Sequence, residues 1–201
     1  MSSSLTQFTK KSLAVIALGG ASLFSAASFA DNYTIDTKGA HASINFSVKH
    51  LGFSVLTGRF NTFSGNFTYD PANLGASTIN VTIDVGSLDS NHAERDKHLR
   101  TPEFLNVEKN PKATFVSKKV VVGADKTSFD LVGDFTLNGV TKSVTIASKK
   151  VGEGKDPWGG YRAGFEGTTE IFLKDFAINS KFIPETESIK LALHVEGIKN
   201  K

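Results

Sequence analysis

The chain has 201 residues, a formal net charge of +3 and no cysteine. The missing cysteine excludes a disulfide framework, a cysteine-ligated zinc or iron-sulfur site, a thiol nucleophile and an acylated cysteine anchor. The length predicts one domain or a small pair. The positive charge suggests nucleic-acid binding only if the basic residues belong to the folded part of the chain.

The first thirty residues have the layout of a secretory signal peptide. Lys10 and Lys11 precede an uncharged apolar run at 13–24, and small residues then lead to a cleavage position before Asp31. A run of about a dozen residues is shorter than the roughly 20 that span a bilayer, so we expect cleavage and not an uncleaved anchor. Residues 31–201 keep 21 basic and 20 acidic residues, a charge of +1. We therefore expect no nucleic-acid partner and no permanent membrane insertion.

Apolar and polar residues alternate along most of the remaining chain, with clear examples at 42–48, 79–85, 129–137 and 189–195. Such one-sided strands are typical of antiparallel sheets, because parallel strands are covered on both faces. Eight or nine such stretches at roughly even spacing favour a closed barrel or a sandwich. No internal repeat or linker interrupts residues 31–201, which we predict to be one all-β domain.

One predicted strand changes phase partway along. Between residues 55 and 69, the alternation places Phe63 and Phe67 on one face of the strand and Phe60 on the other. Two glycines lie in the same run. A bulge or bend explains the change, and glycine-assisted bends are how sheets curl into barrels. The alternative is that Phe60 simply faces outward.

A single segment departs from the strand pattern. Residues 91–100 predict a short helix, with Ser90 or Asn91 as N-cap and Glu94 placed to complete a capping box with Asn91. Pro102 ends it. Further along, Asn138-Gly139 between two predicted strands is a strong hairpin signal, since both residues tolerate positive φ.

No motif of a known catalytic or phosphate-binding class is present: the chain lacks Gly-x-Ser-x-Gly, His-Glu-x-x-His and the glycine-rich nucleotide loops. His92 and His98 are six residues apart and point to different sides of a helix, so they cannot share one metal. A metal site would need His41, His50 or His194 to converge. We expect neither a metal nor a cofactor.

The ionisable groups are densest at 94–98, within the predicted helix. We expect Arg95 and Asp96 to bind backbone or loop groups and to anchor the helix on the barrel. The alternative is a hydrolase or isomerase that acts on a bound lipid and uses His98, Asp96 or Glu94 as acid and base, although no positioned partner is evident.

Phenylalanine is the distinctive residue of the mature region, which keeps 13 of the 16. Many lie on the buried parity of a strand, among them Phe46, Phe67, Phe129, Phe135 and Phe165. A barrel of about eight strands is either filled by its own side chains or leaves room for one elongated apolar ligand. With no reactive constellation, a lipid-binding pocket is the main hypothesis, and a filled barrel without a cavity is the alternative.

Eight segments, in order across nearly all of the mature region, resemble the motifs of the YceI-like family. Each alone is weak, but the ordered set is specific. The segments are FSVKHLG (46–52), GRFNTFSG (58–65), IDV with Ser87 (83–87), RDKHLR with Phe104 (95–104), NPKATF (110–115), GDFTLNGVTK (133–142), DPWG (156–159) and KDF (174–176).

The resemblance implies a periplasmic, lipocalin-like, eight-stranded antiparallel barrel that holds a long isoprenoid or similar amphiphile. Polyprenyl chains, isoprenoid quinones and fatty-acyl amides are the ligand types associated with such proteins, without a settled catalytic activity and with a loose link to stress responses. The sequence does not decide between a monomer and a homodimer.

The alternation of inward-facing residues and the resemblance to the YceI-like family together predict thirteen ligand contacts, on the inner wall of the barrel and at the helix. They are Phe46, Val48, Phe60, Phe63, Phe67, Ile83, Leu99, Phe104, Phe115, Phe129, Phe135, Phe165 and Leu193.

The chain also departs from the family pattern at a few positions. Asn138 stands where His is common, Ser143 where Pro is frequent, Phe172-Leu173 where Asn-Arg is usual, and Ala177 where Gly follows the Asp-Phe pair. We expect Phe172 and Leu173 at the pocket mouth, where they would change the contact with a ligand headgroup.

Overall fold

The structure, a computed structural model, describes residues 30–178 and 188–201. The predicted signal peptide, apart from Ala30, lies outside them. The described part contains eleven strand segments and one α-helix. The strands are β1 Asp31–Ile35, β2 Ser43–His50, β3 Ser54–Phe60, β4 Phe63–Tyr69, β5 Thr78–Asp84, β6 Leu88–Asp89, β7 Lys112–Val122, β8 Ser128–Leu137, β9 Val140–Lys155, β10 Tyr161–Phe172 and β11 Ser188–Lys199, and the helix is α1 Ala93–Leu99.

The strands form one antiparallel sheet that closes on itself. From β1 the order runs through β4, β5, β7, β8, β9, β10 and β11, and β11 pairs again with β1. β11 pairs with β2 over Lys190–His194 and with β1 over Gly197–Lys199, so β1 and β2 share one edge of β11. β3 and β6 continue this sheet beyond β2. The predicted eight-stranded antiparallel barrel is confirmed.

The predicted phase change between residues 55 and 69 is a break between two strands. β3 ends at Phe60 and β4 begins at Phe63. At the break the Asn61 amide donates to the Ser87 carbonyl at 3.1 Å, and Thr62 accepts from the Asp84 amide at 2.9 Å. Phe60 packs against the core, so the alternative that it faces outward is wrong.

Helix α1 begins later than predicted and has a different cap. Its N-cap is His92, whose Nδ1 accepts from the Arg95 amide at 3.2 Å. The predicted caps are wrong because Asn91 has a φ of 61°, whereas an N-cap needs extended backbone, and because Ser90 binds elsewhere. The capping box of Asn91 and Glu94 is replaced by this histidine cap.

The predicted anchoring of α1 is confirmed. The buried Asp96 carboxylate accepts from the Ser90 amide at 3.0 Å and from the Ser90 hydroxyl. Arg95 donates to the Ser90 hydroxyl at 2.8 Å and to the Ser90 carbonyl at 2.6 Å. Arg100, at the end of the helix, donates to the Leu88 carbonyl at 2.5 Å. These charged hydrogen bonds hold α1 against the β6 segment.

The Asn138-Gly139 hairpin between β8 and β9 is also confirmed. The two residues have φ of 50° and 76°, and the ladder resumes with Leu137 opposite Val140. The Asn138 side chain donates to the Phe176 carbonyl at 3.1 Å and accepts from Asn110 at 2.9 Å. It therefore links this turn to the segment after β10.

The buried side chains form two clusters inside the barrel. The larger includes Phe46, Leu88 and Phe176, with Leu99 of α1 packed against it, and the smaller surrounds Tyr33 and Phe67. Within residues 30–178 and 188–201, no helix has the length and apolar character needed to cross a bilayer.

Candidate lipid-binding lumen

An apolar cavity lies inside the barrel between the two core clusters. The cavity has a volume of about 120 Å³. Inward positions of nearly every barrel strand contribute to its wall. The large apolar side chains are Ile35, Ile44, Phe63, Phe67, Tyr69, Leu74, Ile79, Val81, Ile83, Phe115, Val120, Phe129, Leu131, Phe135, Val144, Ile146, Phe165, Ile171, Leu191, Leu193 and Val195.

Phe165 is the centre of an aromatic group at one end of this wall. Its ring makes edge-to-face contacts with Phe67, Tyr69 and Phe129, at centroid distances of 5.6, 5.2 and 6.1 Å. Edge-to-face pairs at such distances are favourable. Because these rings come from three strands, β4, β8 and β10, the group joins opposite sides of the barrel.

Two tyrosines and a lysine close the same end. Tyr33 is 1% exposed, and burial, aided by the Asp31 carboxylate, raises its pKa to about 12. Lys150 lies 5.6 Å from the centre of the Tyr69 ring and pairs with Glu153 at 2.7 Å. Burial raises the pKa of Tyr69. Both tyrosines therefore stay neutral near pH 7, which suits an apolar interior.

Six polar residues border the cavity, and they are Thr68, Ser77, Thr78, Ser148, Glu166 and Thr169. Ser148 donates to the Ile146 carbonyl at 3.1 Å, and Thr169 donates to the Thr145 carbonyl at 2.8 Å. Ser77 differs, since its hydroxyl is buried and has no hydrogen-bond partner among the described residues. On this largely apolar wall, the Ser77 hydroxyl is therefore available to a polar atom of a ligand.

Eight of the thirteen predicted contacts line the cavity. Each lies on a strand of the barrel, with its side chain on the inward parity. They are Phe63, Phe67, Ile83, Phe115, Phe129, Phe135, Phe165 and Leu193.

The other five lie toward the helix end and away from the cavity wall. Phe46 and Phe60 pack on each other at 5.8 Å between ring centroids. Phe104 is buried, and its ring centroid lies 4.9 Å from that of His98. Leu99 is partly buried against the core. Val48 lies on β2, in the hairpin that β2 forms with β3. Side chains of the packed core and of the cavity wall both face the inside of the barrel. Alternation along a strand therefore could not distinguish these five residues from the eight that line the cavity.

Most of the remaining wall residues are aliphatic and lie at inward positions of the strands. Ile79, Val81, Leu131 and Leu191 belong to the alternating stretches but are aliphatic, and the prediction favoured phenylalanine. Leu74 lies outside these stretches, in a 3₁₀ turn after β4 that only the tertiary structure brings to the lumen.

The residues proposed for acid and base chemistry are not on the cavity wall. His98 pairs with Glu103 at 2.8 Å on the surface. Asp96 is engaged by Ser90, and Glu94 is exposed. The three side chains therefore face different surroundings and do not converge on a ligand in the lumen.

A separate charged cluster joins the loop after β1 to the outer face of β10 and β11. His41 Nδ1 lies 2.9 Å from an Asp36 carboxylate oxygen and 3.6 Å from Glu196, a grouping that resembles a metal site. However, Arg162 Nη1 donates to the same two carboxylates at 2.7 and 2.6 Å. The Arg162 hydrogen bond lowers the pKa of Asp36 to about 2. The Arg162 guanidinium therefore provides these two carboxylates with the positive charge that a metal ion would provide.

Phe172 and Leu173 do not line the lumen. Phe172 points outward from the end of β10 and is partly exposed, whereas Leu173 is buried in the 3₁₀ turn that follows. Ala177, which ends this turn, has a φ of 54°, where glycine is usually found.

Comparison with known proteins identifies relatives over almost the whole chain. The profile of the YceI-like domain matches residues 33–196. A "UPF0312 protein" of Pseudomonas aeruginosa strain LESB58 is 54% identical over 190 residues, covering 94% of this chain and 98% of that protein. A "UPF0312 protein" of Shewanella denitrificans is 55% identical over 192 residues, covering 94% and 99%.

Solved structures share the architecture. Burkholderia cenocepacia BcnA aligns with a TM-score of 0.71 at 20% identity, covering 81% of this chain and 98% of that one. The Campylobacter jejuni YCEI protein aligns with a TM-score of 0.67 at 28% identity, covering 76% and 90%. A polyisoprenoid binding domain from Saccharophagus degradans aligns with a TM-score of 0.61 at 14% identity, covering 84% and 98%.

Proposed function

Because the chain belongs to the YceI-like family, we propose that it is a periplasmic carrier of one long-chain amphiphilic lipid of the polyisoprenoid, isoprenoid-quinone or fatty-acyl type. The lipid lies in the barrel lumen, and the protein binds it without chemical change. The observation that carries this proposal is the continuous apolar wall, to which nearly every barrel strand contributes.

Apolar burial alone is sufficient for tight binding. Each methylene removed from water contributes about 0.8 kcal/mol, so a chain of several isoprene units needs few polar contacts. The aromatic group around Phe165 offers large, flat surfaces to such a chain. Ser77 provides one hydrogen-bonding group for an oxygen of the lipid.

The lumen must widen when a long chain enters. Its 120 Å³ is similar to the engineered apolar cavity of about 150 Å³ that binds benzene, so it holds only a short piece of chain as it stands. Phenylalanine side chains can turn about two torsions and give way to a ligand. We therefore expect the rings of Phe129 and Phe165 to shift when the lumen is occupied.

Mass spectrometry of an organic extract from the purified protein tests the proposal. We expect one long-chain lipid per protein chain. The variant Leu193→Trp fills the lumen and should abolish lipid recovery. Ala192→Trp is the matched control, because residue 192 is next to it on β11 and faces the outside. Circular dichroism confirms that both variants fold.

Two results would contradict the carrier function. Protein that never yields lipid, from its own host or after incubation with isoprenoids, would point to a self-filled barrel. A bound lipid that is chemically altered, with turnover lost in a His98→Ala, Asp96→Asn double variant, would point to an enzyme. Export is tested separately by N-terminal sequencing of the mature protein, which should begin at Asp31.

A further inference from the structure

The hairpin of β2 and β3 extends beyond the barrel. The two strands pair with each other as far as His50 and Ser54. β11 pairs with β2 only up to Ser47, and β6 pairs with β3 only at Arg59 and Phe60. Within the described part of the chain, residues 48–56 therefore form a two-stranded ribbon without a further strand on either edge. This ribbon is the β2–β3 tip.

The β2–β3 tip exposes three large apolar side chains. Phe53 is 87% exposed, Val55 is 62% exposed and Leu51 is 42% exposed. Isolated exposed apolar residues are normal on a protein surface, but a group at one protruding end indicates a contact surface.

The turn at this tip is strained by its apolar residue. Leu51 and Gly52 have φ of 50° and 75°, and the turn is closed by the Phe53 amide, which donates to the His50 carbonyl at 2.9 Å. The β8–β9 turn has the same pair of positive φ values but uses Asn138, which tolerates them. A leucine with positive φ lowers the folding stability. We therefore infer that the Leu51 side chain makes a contact outside the turn.

The β2–β3 tip carries a positive charge and no negative one. Residues 48–56 contain Lys49 and no aspartate or glutamate. Lys49 is exposed and lies directly across the ribbon from Val55. Apolar and positively charged groups are therefore interleaved at the tip, which is the pattern of surfaces that bind anionic lipid headgroups.

A second aromatic residue with a neighbouring cation lies at the same end of the barrel. Phe172 ends β10 opposite Ser188 of β11, and β11 in turn pairs with β2 at the base of the tip. Phe172 is 44% exposed, and Lys174 Nζ lies 5.9 Å from the centre of its ring. The apolar and basic character thus continues beyond the ribbon.

We propose that this end of the barrel docks on the surface of an anionic bilayer. Leu51, Phe53 and Val55 enter the headgroup region, and Lys49 and Lys174 face the phosphates. The proposal extends the proposed function, since a lipid carrier must meet a membrane to load or unload. It does not depend on an occupied lumen, because the tip is outside the barrel.

Tryptophan fluorescence tests the docking directly, since Trp158 is the sole tryptophan of the chain. Trp158 is exposed at the opposite end of the barrel. A protein carrying Trp158→Phe and Phe53→Trp reports on the tip alone. With vesicles of phosphatidylglycerol and phosphatidylcholine, we expect its emission to shift to the blue, and the emission of the unmodified protein to stay constant.

Vesicle sedimentation then measures affinity. We expect Phe53→Ser to weaken binding to the anionic vesicles about tenfold, and high salt to weaken it further. Leu51→Asn should weaken binding while raising thermal stability, because asparagine suits the positive φ. The control Trp158→Ser removes another highly exposed aromatic ring, from the other end of the barrel, and should leave binding unchanged.

Three results would overturn the docking proposal: no sedimentation with anionic vesicles, equal sedimentation with pure phosphatidylcholine, or equal affinity of the Phe53→Ser and unmodified proteins. A dimer that Phe53→Ser dissociates, without vesicle binding, would assign the tip to self-association instead. The Leu193→Trp variant should still bind vesicles, so failure of lipid carriage and failure of docking can be told apart.

Discussion

Tyr33 and Phe67 lie opposite each other on β1 and β4 and stack ring on ring, with centroids 4.9 Å apart and planes 3° from parallel. Gly197 of β11 packs against this pair from the neighbouring strand. A Cβ atom at position 197 would overlap the Phe67 ring and lie 3.1 Å from Tyr33 Cβ. The stack therefore fits only beneath a glycine, at the point where β1 and β11 close the barrel.

Gly197→Ala should destabilise the protein by about 2 kcal/mol, because a Cβ there displaces the Phe67 ring and disturbs its contacts with Tyr33 and Phe165. Urea denaturation measures the change. Gly152→Ala is the matched control, since a Cβ there meets no atom within 4 Å, and it should be neutral. Equal effects of the two substitutions would show that the stack is not closely packed against residue 197.

Asp36→Asn should cost about 2 kcal/mol near pH 7 and progressively less as the pH falls from about 4 to 2. Arg162 holds the folded pKa of Asp36 below its unfolded value, so the unfolded chain takes up the proton first and this stabilisation is lost in acid. Asparagine does not titrate. Denaturation at several pH values should therefore show the two proteins converging, and a constant difference would contradict the Arg162 pairing.

Asp96→Ala should destabilise the protein by about 3 kcal/mol, because it leaves the buried Ser90 amide without its acceptor and frees one side of α1. Glu94→Ala removes an exposed carboxylate from the same helix and should change stability by about 0.5 kcal/mol or less. Hydrogen exchange at α1 should rise in the first variant only. Similar behaviour of both variants would mean that the helix is held by apolar contacts alone.

Ala177→Gly should stabilise the protein by about 1 kcal/mol, since Ala177 has a φ of 54° and glycine adopts this conformation without steric cost. Thermal unfolding measures the gain. Ala147→Gly, in the extended backbone of β9, should instead lose about 0.5 to 1 kcal/mol. A loss at both positions would indicate that the flexibility of glycine in the unfolded chain outweighs the strain at Ala177.

The sequence predicted the strands well because their signal is local. Alternation of period two shows which residues of a strand share a face, and this identified the inward sets of β5, β8 and β11. It also indicated a change of phase between Phe60 and Phe63, although it predicted a bulge or bend within one strand and the structure has two strands there. The helix cap was missed because the choice among Ser90, Asn91 and His92 depends on which of them the Asp96 carboxylate engages, and that is a tertiary contact.

The sequence by itself determined that this protein is an all-β barrel of the YceI-like family with a phenylalanine-rich interior. Only the tertiary structure decided which inward residues border the cavity, because Phe46 and Phe165 share the same pattern but meet different neighbours. That division depends on the pairing of β1 with β11, whose residues are far apart in the chain. The register of this closure fixes which side chains face each other across the lumen, and no local pattern contains it.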